Sequence, residues 1–252
     1  MKKRDFIILP GTGRSEIFYQ EFVEALRKEP VAHDVFVIDN LGFGKFRNIS
    51  SPWKMSDFVQ HADSQLKKMK LSSKRPKTVI GHSLGASIAM AWAIHSPDLF
   101  HEYVLINTAI GSFNPIFRGQ YSLIVKFALA RLLLKPQQMD AVVLSQTINN
   151  PDILQKFVQA KAAKARQPIS FQYCAKQILA GLVYFPIFFP KKTRGLVLYA
   201  ENDRFISPKN SSSLIKHLQL HSASHPTAGH DLPQEEPTFC AKQITRFIQA
   251  SN

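Results

Sequence analysis

Short apolar runs alternate with stretches whose apolar residues recur at helical spacing from one end of the chain to the other. The runs Phe6–Leu9, Val35–Ile38, Val79–Ile80, Val104–Ile106, Leu196–Tyr199 and Leu218–His221 are too short for helices. They read as strands, most of them near-continuously apolar as strands buried on both faces are. Between them lie helical patterns. Phe18, Phe22 and Leu26 form one stripe; Met55, Phe58, Val59, Ala62, Leu66 and Met69 form another; Phe239, Ile244, Phe247 and Ile248 form a last one. Strand alternating with helix predicts an α/β fold, a parallel sheet of about six strands with helices on both faces.

Length and composition agree with one domain. The chain has 252 residues, 45% of them hydrophobic, which suffices for a large core. Met1-Lys2-Lys3-Arg4-Asp5 leads into an apolar run that ends at Pro10, too short for a signal-peptide core, so a cytoplasmic location is expected. The run from Ile178 to Pro190 is interrupted by Gly181 and Pro186 and is too short to span a bilayer. Cys174 and Cys240 both fall in helical patterns and read as reduced, buried residues. No metal-ligand spacing or cofactor motif stands out.

The candidate chemistry begins at Gly81-His82-Ser83-Leu84-Gly85, directly after the strand Thr78-Val79-Ile80 and before Ala86–Ala93. In a nucleophile elbow a strand turns sharply into a helix and exposes a serine hydroxyl above the sheet, with glycines where side chains would collide. The motif alone is weak, because a glycine-containing turn with a buried serine reads the same. Catalysis requires three further parts: an acid after a later strand, a histidine after the last strand and an oxyanion loop after an early one.

Each part has a candidate. His230, in Ala228-Gly229-His230-Asp231, lies in the loop between the last strand pattern and the last helix. His217, His221 and His225 fall instead in or beside the predicted helix and strand. Asp203 follows the run ending at Ala200 and is preferred to Glu201, since it stands further past the strand where a loop can turn its carboxylate under the histidine. A solvated loop aspartate or a cap for the segment near Ser207 is the competing reading. The N–H of Leu84, after the serine, and of Thr12, in Pro10-Gly11-Thr12-Gly13, are the expected oxyanion donors. A phosphate-cradling loop is the alternative for that turn, but neither a G-x-G-x-x-G nor a P-loop lysine pattern accompanies it.

On these pieces the chain resembles the α/β-hydrolase superfamily over nearly its whole length. Asp39-Asn40-Leu41-Gly42-Phe43-Gly44-Lys45 adds a further match to a loop of that superfamily, with Phe46 where serine is usual and Pro10 where histidine is usual. The resemblance implies a core of residues 1–112 and 193–252, without two antiparallel edge strands many relatives carry, and a helical cap over 113–192. It also implies an acyl-enzyme mechanism through Ser83, Asp203 and His230.

The cap segment is strongly basic, with eleven lysines and arginines against Asp140 and Asp152 between Phe113 and Lys192, in a chain of formal net charge +14. A solvated helix face explains that charge without function; an anionic partner at the site mouth explains it with one. The candidates are an acidic acyl carrier protein, a CoA thioester and an anionic membrane surface. Nucleic acid is excluded for want of an aromatic-basic reading motif. Tyr121–Lys135 and Phe185–Phe189 suit an interface, but the same pattern builds a cap over an acyl tunnel, which is preferred here. Within the superfamily the chain is similar to small four-helix-capped carboxylesterases, including the pimeloyl-acyl-carrier-protein methyl ester esterases of biotin synthesis. Val142–Thr147 is similar to the acyl-lining cap helix of that group, which implies substrate contacts for Val142 and Gln146. The alternatives are a general short- or medium-chain carboxylesterase, a monoacylglycerol-type lipase, a thioesterase or perhydrolase, and a non-enzymatic ligand receptor on the same fold.

Overall fold

The computed structural model describes residues 2–108, 110, 136–164, 170–184, 186 and 193–250. The run Tyr121–Lys135 and the basic residues Arg118, Lys126, Arg131, Lys135, Arg166, Lys191 and Lys192 lie outside them.

Six strands form one fully parallel sheet: β1 (Arg4–Leu9), β2 (Ala32–Val37), β3 (Lys77–His82), β4 (Glu102–Ile106), β5 (Arg194–Ala200) and β6 (His221–His225). Their order is β2-β1-β3-β4-β5-β6. The described helices are α1 (Gln20–Arg27), α2 (Met55–Lys68), α3 (Leu84–His95), α4 (Pro136–Thr147), α5 (Pro151–Lys164), α6 (Phe171–Val183), α7 (Pro208–Leu218), α8 (Leu232–Glu235) and α9 (Pro237–Gln249).

Side chains alternate across each strand, so each strand feeds two cores. Ile7, Leu9, Val79, Leu105 and Val197 pack with Phe58 and Val59 of α2 and Trp92 of α3 on one face. Phe6, Ile8, Ile80, Val104 and Leu198 pack with Phe22 and Leu26 of α1 and Ile244 and Phe247 of α9 on the other. Helix α3 is buried along nearly its whole length, as its almost uniformly apolar sequence requires.

Two expectations are corrected. The last strand is His221–His225, not Leu218–His221: Leu218 ends α7, and Gln219 turns the chain with a left-handed φ of 52°. β6 is an edge strand of polar and small residues, while Leu218 and Leu220 leave it to pack on the core, so the apolar signal lies beside the strand and not in it. Phe18 belongs to a 3-10 turn (Glu16–Tyr19) ahead of α1, and its ring stacks on Phe157 of α5 at 5.3 Å.

The topology positions the site. From β1 the chain crosses to β2 on one side, and from β3 it crosses to β4 on the other. The crevice above the carboxyl ends of β1 and β3 is therefore the switch point where open α/β sheets bind ligands. Gly11 and Ser83 stand there.

Candidate active site

Ser83 takes up φ 55° and ψ −116°, a left-handed backbone that an ordinary residue reaches only under strain. Its neighbours make the turn possible. A Cβ on Gly81 would lie 2.1 Å from the Gly85 carbonyl oxygen, and one on Gly85 would lie 1.9 Å from the Leu9 carbonyl oxygen. Only glycine lets β3, α3 and β1 meet this closely. Gly11 lies against the same turn, its missing Cβ 3.2 Å from the Ser83 Cβ.

The three side chains named from the sequence come together. His230 Nε2 lies 2.9 Å from Ser83 Oγ, and His230 Nδ1 lies 2.8 Å from Asp203 Oδ2. The other Asp203 oxygen accepts the N–H groups of Phe205 and Ile206 at 2.7 and 2.8 Å, so the carboxylate is fixed by its own loop. With Oδ2 accepting from Nδ1–H, Nε2 carries a lone pair toward the serine hydroxyl. That arrangement can remove the hydroxyl proton as the oxygen attacks an electrophile. Glu201, the competing acid, instead accepts from Ser224 Oγ at 2.7 Å.

The early loop has two of its amides engaged. Gly11 N–H donates to the Tyr19 hydroxyl at 3.0 Å, and Gly13 N–H donates to Gln177 Oε1 at 3.4 Å. Between them stands Thr12. Among the described residues nothing accepts from Thr12 N–H or from Leu84 N–H at the start of α3. Val142 and Gln146 lie on α4, whose described hydrogen bonds stay within the helix at these positions: Ser145 Oγ donates to the Val142 carbonyl and Gln146 Nε2 to Ser145 Oγ. Among the described residues Gln146 makes no hydrogen bond to Ser83, Asp203 or His230.

A buried polar scaffold that the sequence did not disclose holds the histidine. His82 Nδ1 accepts from the Tyr19 hydroxyl at 2.7 Å, and its Nε2–H donates to the His230 carbonyl at 2.8 Å. Burial, with repulsion from His230, lowers the His82 pKa to about 3, so this ring stays neutral and its tautomer is set by its partners. Asn107, itself at φ 45°, donates to the carbonyls of His230 and Gly229 at 2.6 and 3.1 Å and accepts from Ala200 N–H at 2.8 Å. Beside it, Asp231 pairs with Arg14 at 2.5 Å, both fully enclosed. Burial raises that carboxyl, but attraction to Arg14, the hydrogen bond from it and the neighbouring His82 and His230 together outweigh burial and bring its pKa down to about 2.

The profile of the family described as "Serine aminopeptidase, S33" matches residues 2–237. The chain belongs to this family. Membership places it among the hydrolases, and no curated protein matches its sequence. Among solved structures, this family member is similar to the meta-cleavage product hydrolase of Pseudomonas fluorescens IP01, with TM-score 0.77 and 16% identity over 100% of this chain and 92% of that one. It is similar to the 2-hydroxy-6-oxo-6-phenylhexa-2,4-dienoate hydrolase of Rhodococcus sp. strain RHA1, at 0.72 and 18% over 98% and 91%. A thermophilic esterase of Thermogutta terrifontis matches at 0.70 and 17%, over 99% and 90%. These likenesses establish the α/β-hydrolase fold.

In this S33 family member the segments between β4 and β5 touch both halves of the site. Glu235 accepts Gly229 N–H at 2.7 Å together with the N–H groups of Asn149 and Asn150 at 2.9 and 2.8 Å, joining the end of α4 to the histidine loop. Gln177 of α6, fully buried, spans Gly13 N–H and the Leu41 carbonyl, the latter at 3.2 Å. Gly181 lies on Leu84, its missing Cβ 3.2 Å from Cδ1. Phe205 flanks the His230 ring at 4.9 Å between centroids. No helix among the described residues is long and apolar enough to cross a membrane.

Proposed function

We propose that the protein is a serine carboxylic-ester hydrolase that works through an acyl-enzyme. The observation that carries this reading is the hydrogen-bonded line Ser83 Oγ, His230 Nε2, His230 Nδ1, Asp203 Oδ2, at 2.9 and 2.8 Å, on a strained elbow. His230 takes the Ser83 proton while Oγ bonds to the ester carbonyl carbon. The carbonyl oxygen becomes an oxyanion that accepts from the N–H groups of Thr12 and Leu84. Collapse breaks the ester C–O bond, and the departing alkoxide takes the proton from His230 and leaves as the alcohol. A water then repeats the sequence: it gives a proton to His230, attacks the acyl carbon and releases the acid as Ser83 regains its proton. Asp203 keeps the histidine in the right tautomer and balances its transient positive charge. Leu84, Gly181 and Phe205 give the mouth an apolar wall that suits the acyl part of an ester.

Hydrolysis of p-nitrophenyl butyrate tests the reading. Native protein should show a burst and turnover, and should be labelled on Ser83 by a fluorophosphonate; Ser83→Ala should lose both and melt as the parent does. Turnover retained by Ser83→Ala overturns the assignment, and labelling without turnover favours the receptor reading. The finer substrate named from the sequence resemblance, a methyl ester of an acyl carrier protein, is supported by the basic, acid-poor stretch between Phe113 and Lys192. Methyl pimeloyl-carrier protein compared with its free methyl ester, at low and raised salt, tests it separately.

A further inference from the structure

Two adjoining segments above the site expose apolar side chains that the proposed chemistry does not use. In the loop before α2 these are Ile49 and Trp53, the latter 54% exposed; on the outer side of α6 they are Ile178, Leu179 and Val183, the last 69% exposed. Lys176 joins the two segments. Its ammonium donates to Ser50 Oγ at 2.9 Å and lies 5.3 Å from the centre of the Trp53 ring. Leu179 follows Lys176 by three residues and Val183 follows Leu179 by four, so they share a helical stripe on the Trp53 side. Isolated surface hydrophobes need no explanation, but a contiguous cluster of this kind marks a contact site.

Cations outnumber carboxylates beside the cluster. Residues 40–56 contain Lys45, Arg47 and Lys54 and no carboxylate, and α6 carries Lys176 and no aspartate or glutamate; Glu16 pairs with Lys45 at 2.6 Å, and Asp57 follows in the first turn of α2. Arg47 and Lys54 are exposed beside Ile49 and Trp53. Aliphatic side chains and a tryptophan, flanked by Arg47, Lys54 and Lys176, match a layer whose outer plane carries phosphates and whose next few ångströms are hydrocarbon. We propose that this face, the loop Ile49–Lys54 with the outer side of α6, docks the protein on an anionic phospholipid surface. The inner side of the same helix lies on Gly13 and Leu84, so docking sets the mouth of the site against the lipid.

The inference rests on the surface alone, and its test uses Ser83→Ala protein so that failure here is separate from failure of the ester-hydrolase reading. Vesicles of phosphatidylglycerol mixed with phosphatidylcholine are pelleted with the protein, against vesicles of phosphatidylcholine alone. The protein should pellet with the anionic vesicles and be released by salt. Of its two tryptophans Trp92 is fully buried, so a blue shift of the emission on binding would report Trp53 entering the apolar layer. Leu179→Ser with Val183→Ser should weaken binding by about tenfold or more, since each side chain would lose its burial in lipid. Arg47→Glu with Lys54→Glu should abolish the preference for anionic vesicles; circular dichroism checks that both double variants remain folded. Absence of pelleting with anionic vesicles overturns the proposal, as does pelleting unchanged in both folded variants. Salt-sensitive binding of an acidic carrier protein to this face, without vesicle binding, replaces the lipid by a protein partner and overturns it too.

Discussion

Replacing Asp203 by asparagine separates the role of its charge and proton pattern from that of its shape. In the native loop Oδ1 is held by two backbone N–H groups, at 2.7 and 2.8 Å. An asparagine keeps its oxygen there, because that position needs an acceptor. Its NH₂ then takes the place of Oδ2, 2.8 Å from His230 Nδ1, and donates where a carboxylate accepted. The imidazole must turn Nδ1 into an acceptor and carry its proton on Nε2, which points an N–H at Ser83 Oγ. Serine loses its base while every heavy atom stays in place. A triad with the wrong tautomer loses roughly four decades in kcat, equivalent to about 5.5 kcal/mol at about 1.4 kcal/mol per decade. KM for p-nitrophenyl butyrate should change little, since Asp203 does not face the substrate. The thermal midpoint should also hold, because the two amide hydrogen bonds survive. Asp203→Ala offers the contrast: it strands two partly buried N–H groups, at about 1–3 kcal/mol each, and should lower the midpoint as well as the rate. An asparagine variant with kcat within about tenfold of the parent, folded as the parent is, would refute the reasoning and return attention to Glu201.

Three further outcomes are expected. Gly85→Ala should destabilise the fold by at least about 3 kcal/mol in urea unfolding, because its Cβ meets the Leu9 carbonyl at 1.9 Å and neither backbone can give way; a soluble variant of native stability would contradict the elbow packing. His82, whose pKa falls to about 3 in the folded state, declines a proton that the unfolded chain accepts below about pH 6.5. Stability should therefore drop on acidification through that window, by up to about 1.4 kcal/mol per pH unit, and His82→Gln should flatten the slope by one proton in denaturant titrations across pH. Gln177→Ala removes the amide that bridges Gly13 N–H and the Leu41 carbonyl, and should lower kcat roughly ten- to a hundredfold with the fold retained; an unchanged kcat would show that the early loop keeps its shape without α6.

How far the sequence can be read depends on whether a feature is local. The elbow is legible because its glycines and serine are adjacent and their need arises within one turn. The order of serine, acid and histidine is legible because each follows a strand pattern, and a parallel sheet gathers the carboxyl ends of its strands on one side. β6 was placed too early because an edge strand of the composition His-Ser-Ala-Ser-His carries no apolar alternation. The scaffold behind the histidine was not legible at all. Tyr19 and His82 are separated by 63 positions, Arg14 and Asp231 by 217, and Gly13 and Gln177 by 164, and no local pattern distinguishes such residues from solvated polar ones. The expected substrate contacts of Val142 and Gln146 rest on the likeness of a cap helix, not on a pattern within the residues themselves. A glutamine two turns into an otherwise mostly apolar helical pattern is the available signal for α6, and its meaning appears only once the helix is seen against the early loop, where Gln177 is fully buried.

The contacts of the inter-strand helices bear on how selectivity and rate are linked. At one end Thr147 accepts Asp231 N–H through its carbonyl at 2.9 Å and the Arg14 guanidinium through its hydroxyl at 2.9 Å, next in sequence to His230. Asn149 and Asn150 share Glu235 with Gly229, on the other side of His230. At the other end Gln177 holds Gly13, next to Thr12. The end of α4 thus grips the proposed base loop on both flanks, and α6 grips the proposed oxyanion loop. A shift of either helix would move a proton acceptor or an N–H donor, and displacements of about an ångström at such groups cost orders of magnitude in rate. Substitutions that reshape the substrate wall by moving these helices should therefore change kcat along with KM. Inward-facing positions of α6 that do not join the pins, such as Gly181, where an added Cβ would lie 3.2 Å from Leu84, are where substitution should change the proposed acyl selectivity while the proposed triad stays where it is.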